Sequence, residues 1–274
     1  MIRVDMHVHS TASDGTCTPA EIVRVARRDC IAVLALTDHD TVDGIPGFIT
    51  ACKRHAIRWI TGIELSAIAP VTTHILGYRL RDLDMVKRAM SWVVEKRNQR
   101  NRLMCEKLRA AGVDIDLDEI EREAGGHVIA RPHFAGVLLK KGYVAGYREA
   151  FDRYLARGAV AYVPREAYSP EACISLIREA GGLAALAHPS QTGLSGSALD
   201  DLLDELKGYG LWGLECISSH CTSEQAFDYM RIADRHALCP TGGSDFHGAR
   251  RPGVALGVQV SEDFLPWARL GVTL

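Results

Sequence analysis

Histidines and carboxylates recur in this chain at one kind of place, the point where a short apolar run gives way to a loop, and that placement limits the folds open to it. In the first run Ile2, Val4, Met6 and Val8 alternate with Arg3, Asp5, His7 and His9, so a strand sets both histidines on one face of a sheet. Later runs close the same way, on Thr37-Asp38-His39-Asp40, Gly62-Ile63-Glu64, Thr73-His74, Ala187-His188-Pro189, Gly213-Leu214-Glu215 and Ser244-Asp245-Phe246-His247. A chain patterned like this gathers imidazoles and carboxylates at one end of a strand layer.

Between the clusters, strand and helix signals alternate as in a parallel sheet or barrel. Thr18-Pro19-Ala20-Glu21 joins a capping Thr, a Pro at the first helical position and a Glu three residues after the cap, which starts a helix. Ile31–Leu36 is a continuous apolar run suited to a strand buried on both faces, and it delivers Asp38 and His39 to its C-terminal end. A helix over 46–55 and strands over 57–63 and His74–Tyr78 follow. In the second half Ser169-Pro170-Glu171 opens a helix that stops at Gly181-Gly182, and 183–187 is a strand. Helical spacing covers 199–206, a strand covers 211–217, and the capping box Thr222-Ser223-Glu224-Gln225 opens a helix to about His236. A last apolar run at 238–241 leads into the final cluster. The stretch 86–165 breaks the rhythm, with helical patterns at 86–111, 117–124, 132–141 and 147–157. The expected organisation is an α/β barrel over 1–85 and 166–274 that carries the site. Residues 86–165 form a mostly helical insertion over the barrel mouth, where substrate-binding residues sit.

Composition narrows the function classes. With 274 residues, 47% of them hydrophobic, the chain is long enough to bury a full core. Lys and Arg number 32 against 34 Asp and Glu, a net charge of -2, so no global field draws the chain to nucleic acid or to a membrane. The first strand begins at Ile2 and the apolar runs fall far short of a membrane span, so neither a signal peptide nor a spanning segment is expected, and the cytoplasm is the expected location. Eight cysteines lie scattered with no C-x-x-C pair, which suits small buried side chains in a reducing compartment better than a disulfide framework or a thiolate zinc site.

In a β/α barrel the loops after each strand converge on one face, so side chains far apart in sequence share a site. Imidazole and carboxylate donors without thiolate suit Mn²⁺, Fe²⁺ or Zn²⁺. His7, His9, Asp14, His39, Glu64, His74, His188, Asp245 and His247 also exceed the three or so protein ligands a single catalytic ion takes, so more than one ion is expected.

These residues resemble those of the PHP (polymerase and histidinol phosphatase) domain phosphoesterases. The H-x-H of His7 and His9, the T-D-H-D of Thr37 to Asp40, Glu64, the A-H-P around His188 and the G-S-D-F-H of Gly243 to His247 follow that family's order over nearly the whole chain. The resemblance implies a distorted (β/α)₇ barrel with a trinuclear centre at the strand ends, taking Mn²⁺, with Zn²⁺, Fe²⁺ or Mg²⁺ as alternatives. It implies one ion on His7, His9, Glu64 and Asp245, a second on Glu64, His74 and His188, and a third on Asp14, His39 and His247. Asp14 stands where some members of the family carry His.

His-Ser-Thr-Ala-Ser-Asp-Gly-Thr at 9 to 16, Ala-Arg-Pro-His at 130 to 133 and Ser-Ser-His at 218 to 220 resemble the branch holding 3′,5′-nucleoside bisphosphate phosphatases and RNase AM. The implied activity is hydrolysis of the 3′-phosphate of a nucleoside 3′,5′-bisphosphate, extending to 5′–3′ exonuclease action on short RNA. A histidinol-phosphate-type phosphatase, an amide hydrolase and a non-catalytic metal- and nucleotide-binding module are the alternatives. For such a substrate, Arg131 and His133 would clamp phosphate oxygens, and Gln99, Arg100, Arg102 and His220 are candidates for a second phosphate.

Plainer readings compete for several positions. Asp14 lies in a Ser-Asp-Gly turn, where Asp commonly closes its own backbone. Asp5, Asp38 and Glu215 are read as residues that orient imidazoles rather than bind ions. Arg97, Arg100 and Arg102 also suit a solvated helix face, and His55, His127 and His236, which have no company, are read as structural or surface residues.

Overall fold

The computed structural model describes residues 1–125 and 129–273, so His127 lies outside the described residues. Contacts divide the chain into two compact units, residues 1–90 with 168–274, and residues 91–167. The first unit is a nearly closed barrel. Its strands are β1 (Ile2–Asp5), β2 (Ile31–Leu36), β3 (Arg58–Ser66), β4 (His74–Tyr78), β5 (Leu183–Leu186), β6 (Gly213–Ile217), β7 (Cys239–Gly242) and β8 (Val258–Val260), hydrogen-bonded in the order β7-β6-β5-β4-β3-β2-β1-β8.

The seam between the first and seventh strands is made by the metal-ligand motifs themselves. Met6 N–H donates to Gly242 O (3.2 Å), Asp245 N–H to His7 O (2.9 Å) and His9 N–H to Phe246 O (2.9 Å), and Val8 bridges Phe246 in parallel. Gly243 makes this approach possible, because a Cβ there would lie 2.4 Å from the His7 nitrogen.

Two strands depart from the parallel pattern expected from the sequence. β4 runs antiparallel to both β3 and β5, and β8 runs antiparallel to β1. Parallel neighbours need a crossover of a dozen or more residues, and the short 67–73 link between β3 and β4 permits only a reversal.

Helices α1 (Pro19–Arg28) and α2 (Ile45–His55) follow β1 and β2. α1 begins at the expected capping box, with Thr18 and Glu21 bonding reciprocally. Next come α3 (Leu83–Ala110), α4 (Leu117–Ala124), α5 (Arg131–Lys140) and α6 (Tyr147–Ala150), the last continuing into a π turn, Phe151–Leu155. α7 (Pro170–Glu179), α8 (Ser197–Tyr209) and α9 (Ser223–Arg235) return the chain to the β/α rhythm.

The barrel core is built from Val4, Met6, Val33, Ala35, Ile60, Leu76, Tyr78, Ala185 and Ala187, with Val260, Leu265 and Trp267 packed on it. Alternation along the first run puts Val4 and Met6 into the cluster, and His7 and His9 follow one residue beyond the buried Met6 and Val8. The second unit has its own core of Met104, Leu108, Ile120, Phe134, Leu138 and Leu155. Among the described residues no helix is long and apolar enough to cross a membrane.

Candidate metal centre

One end of the barrel, where the parallel strands finish and antiparallel β4 starts at His74, brings together every sequence-predicted metal ligand. Glu64, at the end of β3, is the hub. Its Oε2 lies 3.2 Å from His7 Nε2, 3.2 Å from His9 Nε2 and 3.1 Å from His39 Nδ1, while its Oε1 lies 2.9 Å from both His74 Nδ1 and His188 Nε2. Asp245 Oδ1 faces the same histidines from the other side, 3.1 Å from His9 Nε2 and 3.4 Å from His7 Nε2. Asp14 Oδ1 lies 3.3 Å from His247 Nε2 and 3.6 Å from His9 Nδ1.

Three groups have ligand atoms all within 4.8 Å of one another: His7, His9, Glu64 and Asp245; His9, Asp14, His39 and His247; and His39, Glu64 and His74. His188 joins through its contact with Glu64. This grouping differs from the one the resemblance implies, because His9 and His39 each stand in two groups.

Surrounding polar groups fix the orientation of these side chains. Glu215 Oε1 accepts from His7 Nδ1–H (2.9 Å), which leaves Nε2 turned inward, and its Oε2 accepts from the His188 backbone N–H (2.7 Å). His247 Nδ1–H donates to the Asp245 carbonyl (2.8 Å), leaving its Nε2 toward Asp14. Asp5 and Asp38 act on backbone and hydroxyl groups instead of imidazoles. Asp5 accepts from the N–H groups of His7, Ser244 and Gly257 and from Ser244 Oγ, tying the first and last motifs together. Asp38 accepts from Ser10 N–H (2.7 Å), Ser10 Oγ and Ser13 Oγ, bracing the loop that carries Asp14.

The backbone is strained at the same place. Asp245 (φ 55°), His188 (φ 24°) and Asp40 (φ 51°) all occupy positive φ without being glycine.

Burial and charge set the protonation of the cluster. Burial opposes charge on His9, but the Asp245 and Glu64 carboxylates outweigh it and raise His9 to about 10. His7 is also buried, and Glu215, Asp245 and Glu64 raise it well above the usual histidine value. Burial, helped by repulsion from His9 and His74, lowers His39 to about 4. Burial would raise Glu64 and Asp245, but the facing histidines hold both well below the ordinary carboxylate range.

The donor set fits divalent cations. His7 Nε2, both nitrogens of His9, His39 Nδ1, Glu64 Oε2 and Asp245 Oδ1 are buried without a hydrogen-bond partner. Such atoms are rare in native proteins, and each costs about 1–3 kcal/mol if left unmatched. These six atoms converge on one place. His39, His74 and Asp14, with side chains 22%, 22% and 25% exposed, mark the side open to solvent.

The expected phosphate contacts are distributed unevenly. His220 reaches the centre, with Nε2 2.7 Å from Asp245 Oδ2. In the second unit Arg131 begins α5 and lies over the Phe151 ring at 6.0 Å, while His133 Nδ1 accepts from the Ala130 N–H (3.0 Å) and so caps its own helix. Gln99 turns back along its helix to Glu95, and Arg102 is exposed. Arg100 is lowered to about 10, first by burial and then by repulsion from Arg97, Arg165 and Arg131, and its Nε is buried without a partner. Arg97, Arg131 and Arg165 therefore lie near enough for their charges to act on Arg100.

Sequence reasoning did not single out Arg165, and it missed Arg251 at the metal centre, whose Nη1 bonds Asp245 Oδ2. The only sequence signal for Arg251 is its place just after the Gly248 turn that follows the last histidine. Among the bland assignments, His236 is nearly buried and bonds Asp200 and Asp204 across α8 and α9, as a structural histidine does.

Comparison with known proteins gives this arrangement its family. The PHP domain matches residues 5–156. A 3′,5′-nucleoside bisphosphate phosphatase of Chromobacterium violaceum is 33% identical over 98% of this chain and 95% of its own length. The 5′-3′ exoribonuclease Rnm of Escherichia coli K12 is 33% identical over 89% of this chain and 84% of its own. A metal-dependent phosphoesterase structure from Bifidobacterium adolescentis superposes with a TM-score of 0.75 at 29% identity, covering 95% of this chain and 93% of that one. With a strand-end cluster of imidazoles and carboxylates and kinship over almost its full length, the chain belongs to the PHP family and is a metal-dependent hydrolase of phosphate esters.

Proposed function

We propose that the chain removes the 3′-phosphate of nucleoside 3′,5′-bisphosphates, releasing the nucleoside 5′-monophosphate and phosphate, with Mn²⁺ as its metal and the cytoplasm as its location. The observation that carries the reading is the convergence of orphaned buried donors around Glu64 and Asp245, in a chain 33% identical to a bisphosphate phosphatase over nearly all of both lengths. A second activity, 5′–3′ exonuclease action on short RNA, is favoured by the equal identity to an exoribonuclease. Eight free cysteines suit a reducing compartment.

In this reading His7, His9, Glu64 and Asp245 would hold one ion, Glu64 with His74 and His188 a second, and Asp14, His39 and His247 a third. Bound ions supply Lewis acidity, which makes hydroxide available near neutral pH and offsets charge on phosphoryl oxygens. The protein holds the donors ready. Glu215 keeps His7 Nε2 turned inward. His39, lowered to about 4, stays neutral at working pH and keeps its own lone pair. Asp5 and Asp38 fix the backbone that carries the ligands, so little reorganisation accompanies substrate binding. Arg131 and His133, with Arg100 and its neighbours Arg97 and Arg165, are the proposed phosphate-binding groups of the second unit, together with Gln99 and Arg102. An anion there relieves the mutual repulsion of the guanidinium groups.

The test is phosphate release by manganese-reconstituted protein from nucleoside 3′,5′-bisphosphates, 2′,5′-bisphosphates, nucleoside monophosphates, histidinol phosphate and a 5′-phosphorylated short RNA. The 3′,5′-bisphosphates are expected to give the highest kcat/KM. Equal values across the panel would overturn the nucleotide assignment, and a preference for histidinol phosphate would replace it.

A further inference from the structure

Asp245 is split between two environments. Its Oδ1 faces His7 and His9 and has no hydrogen-bond partner, while its Oδ2 is turned away from them toward His220 and Arg251. His220 Nε2 lies 2.7 Å from Oδ2, Arg251 Nη1 bonds the same oxygen, and Nη1 and Nε2 are only 2.6 Å apart.

These three contacts cannot all be attractive. If the guanidinium N–H donates to His220 Nε2, that nitrogen presents a lone pair to the carboxylate oxygen. If Nε2–H donates to Oδ2, two donors meet within 2.6 Å. One more acceptor beside the pair would let each donor have its own.

Arg251 is built to reach such an acceptor. Among the described residues its side-chain bonds all run through Nη1, so Nε and Nη2 remain available, and the side chain is 32% exposed. Its loop is fastened down: Ala249 N–H donates to Thr16 Oγ1 (2.8 Å), Thr16 N–H donates to His247 O (3.1 Å), and Gly248 at φ +65° leaves no room for a Cβ against Thr16. A held guanidinium with a two-donor edge free matches two oxygens of a phosphoryl group.

We propose that Arg251 is a substrate-binding residue that leaves Asp245 Oδ2 for an oxygen of the incoming phosphoester, while His220 keeps Oδ2. The inference rests on the phosphoesterase reading and deepens it by adding a barrel-borne arginine to the phosphate contacts.

Wild type, Arg251→Ala, Arg251→Lys and Arg250→Ala, the last an exposed neighbour outside the centre, are compared after manganese reconstitution. Bound manganese is measured by elemental analysis, inorganic phosphate binding by calorimetry, and KM and kcat with 4-nitrophenyl phosphate. Arg251→Ala is expected to keep its manganese and to bind inorganic phosphate about 10- to 100-fold more weakly, the range for lost charge-assisted hydrogen bonds. KM should rise, Arg251→Lys should recover part of the loss, and Arg250→Ala should match wild type. Unchanged phosphate affinity in Arg251→Ala, with manganese retained or lost, overturns the proposal, and loss of manganese without weaker phosphate binding would leave Arg251 only a support for Asp245. Because the probe is inorganic phosphate, failure of the bisphosphate assignment would leave this result standing.

Discussion

Two regions of this molecule are equally shielded from water and opposite in energetic character. In the 91–167 unit, Met104, Leu108, Ile120, Phe134 and Leu138 are buried and apolar. At the barrel's strand ends, His7, His9, Glu64 and Asp245 are buried as completely, yet they are ionisable and leave ligand atoms without partners. Burying a large apolar side chain stabilises a fold by roughly 1.5–3 kcal/mol, whereas burying unmatched polar groups costs a similar amount each. Positive-φ residues Asp40, His188 and Asp245 lie in the second region, where backbone strain adds to that cost. The first region holds structure together, and the second gives up stability to present ligands.

The largest effects that would break this contrast come from one substitution in each region. Phe134→Ala should lower the stability of the 91–167 unit by about 3–5 kcal/mol, read from denaturant midpoints. Glu64→Gln should instead act on chemistry, with manganese content falling and kcat/KM dropping by more than the roughly 100-fold that loss of an outer partner can cause. Full manganese content in Glu64→Gln, or no loss of stability in Phe134→Ala, would erase the distinction.

A smaller effect follows from pH. His9 is raised to about 10 from an ordinary 6.5, so its contribution to the metal-free protein is complete below pH 6.5 and is lost as pH rises toward 10. Glu64 and Asp245, both depressed, contribute above the ordinary carboxylate range and lose that contribution as pH falls. Metal-free protein should therefore be most stable between about pH 4.5 and 6.5, with a melting temperature roughly 5 °C lower at pH 9 than at pH 6. The manganese-loaded protein should not show this fall, because cations take the place of the protons. A metal-free melting temperature independent of pH over that interval would show that the imidazoles and carboxylates are not coupled.

Much of this was legible in the sequence because the ligands sit at strand ends. The apolar run Ile31–Leu36 and the motifs at His7, His39, Glu64, His188 and Asp245 locate barrel and centre together. Strand direction was less visible, since β4 reads as the same buried run whichever way it points, and only the brevity of 67–73 reveals the reversal. β8, at Val258–Val260, is too short to show alternation. The roles of Asp5 and Asp38 depend on which backbone N–H groups come near them after folding, and no spacing encodes that. Arg251 and Arg165 were invisible for the same reason, neither belonging to a ligand motif until the fold sets Asp245 or Arg100 near it.

The most direct test is a crystal structure of the manganese-reconstituted protein with anomalous differences collected at the manganese edge. The account predicts more than one peak, each about 2 Å from its donors, with one touching both Glu64 and Asp245 and another touching His39 or His74. Peaks confined to surface carboxylates, with Glu64 Oε2 and Asp245 Oδ1 still bare, would contradict it.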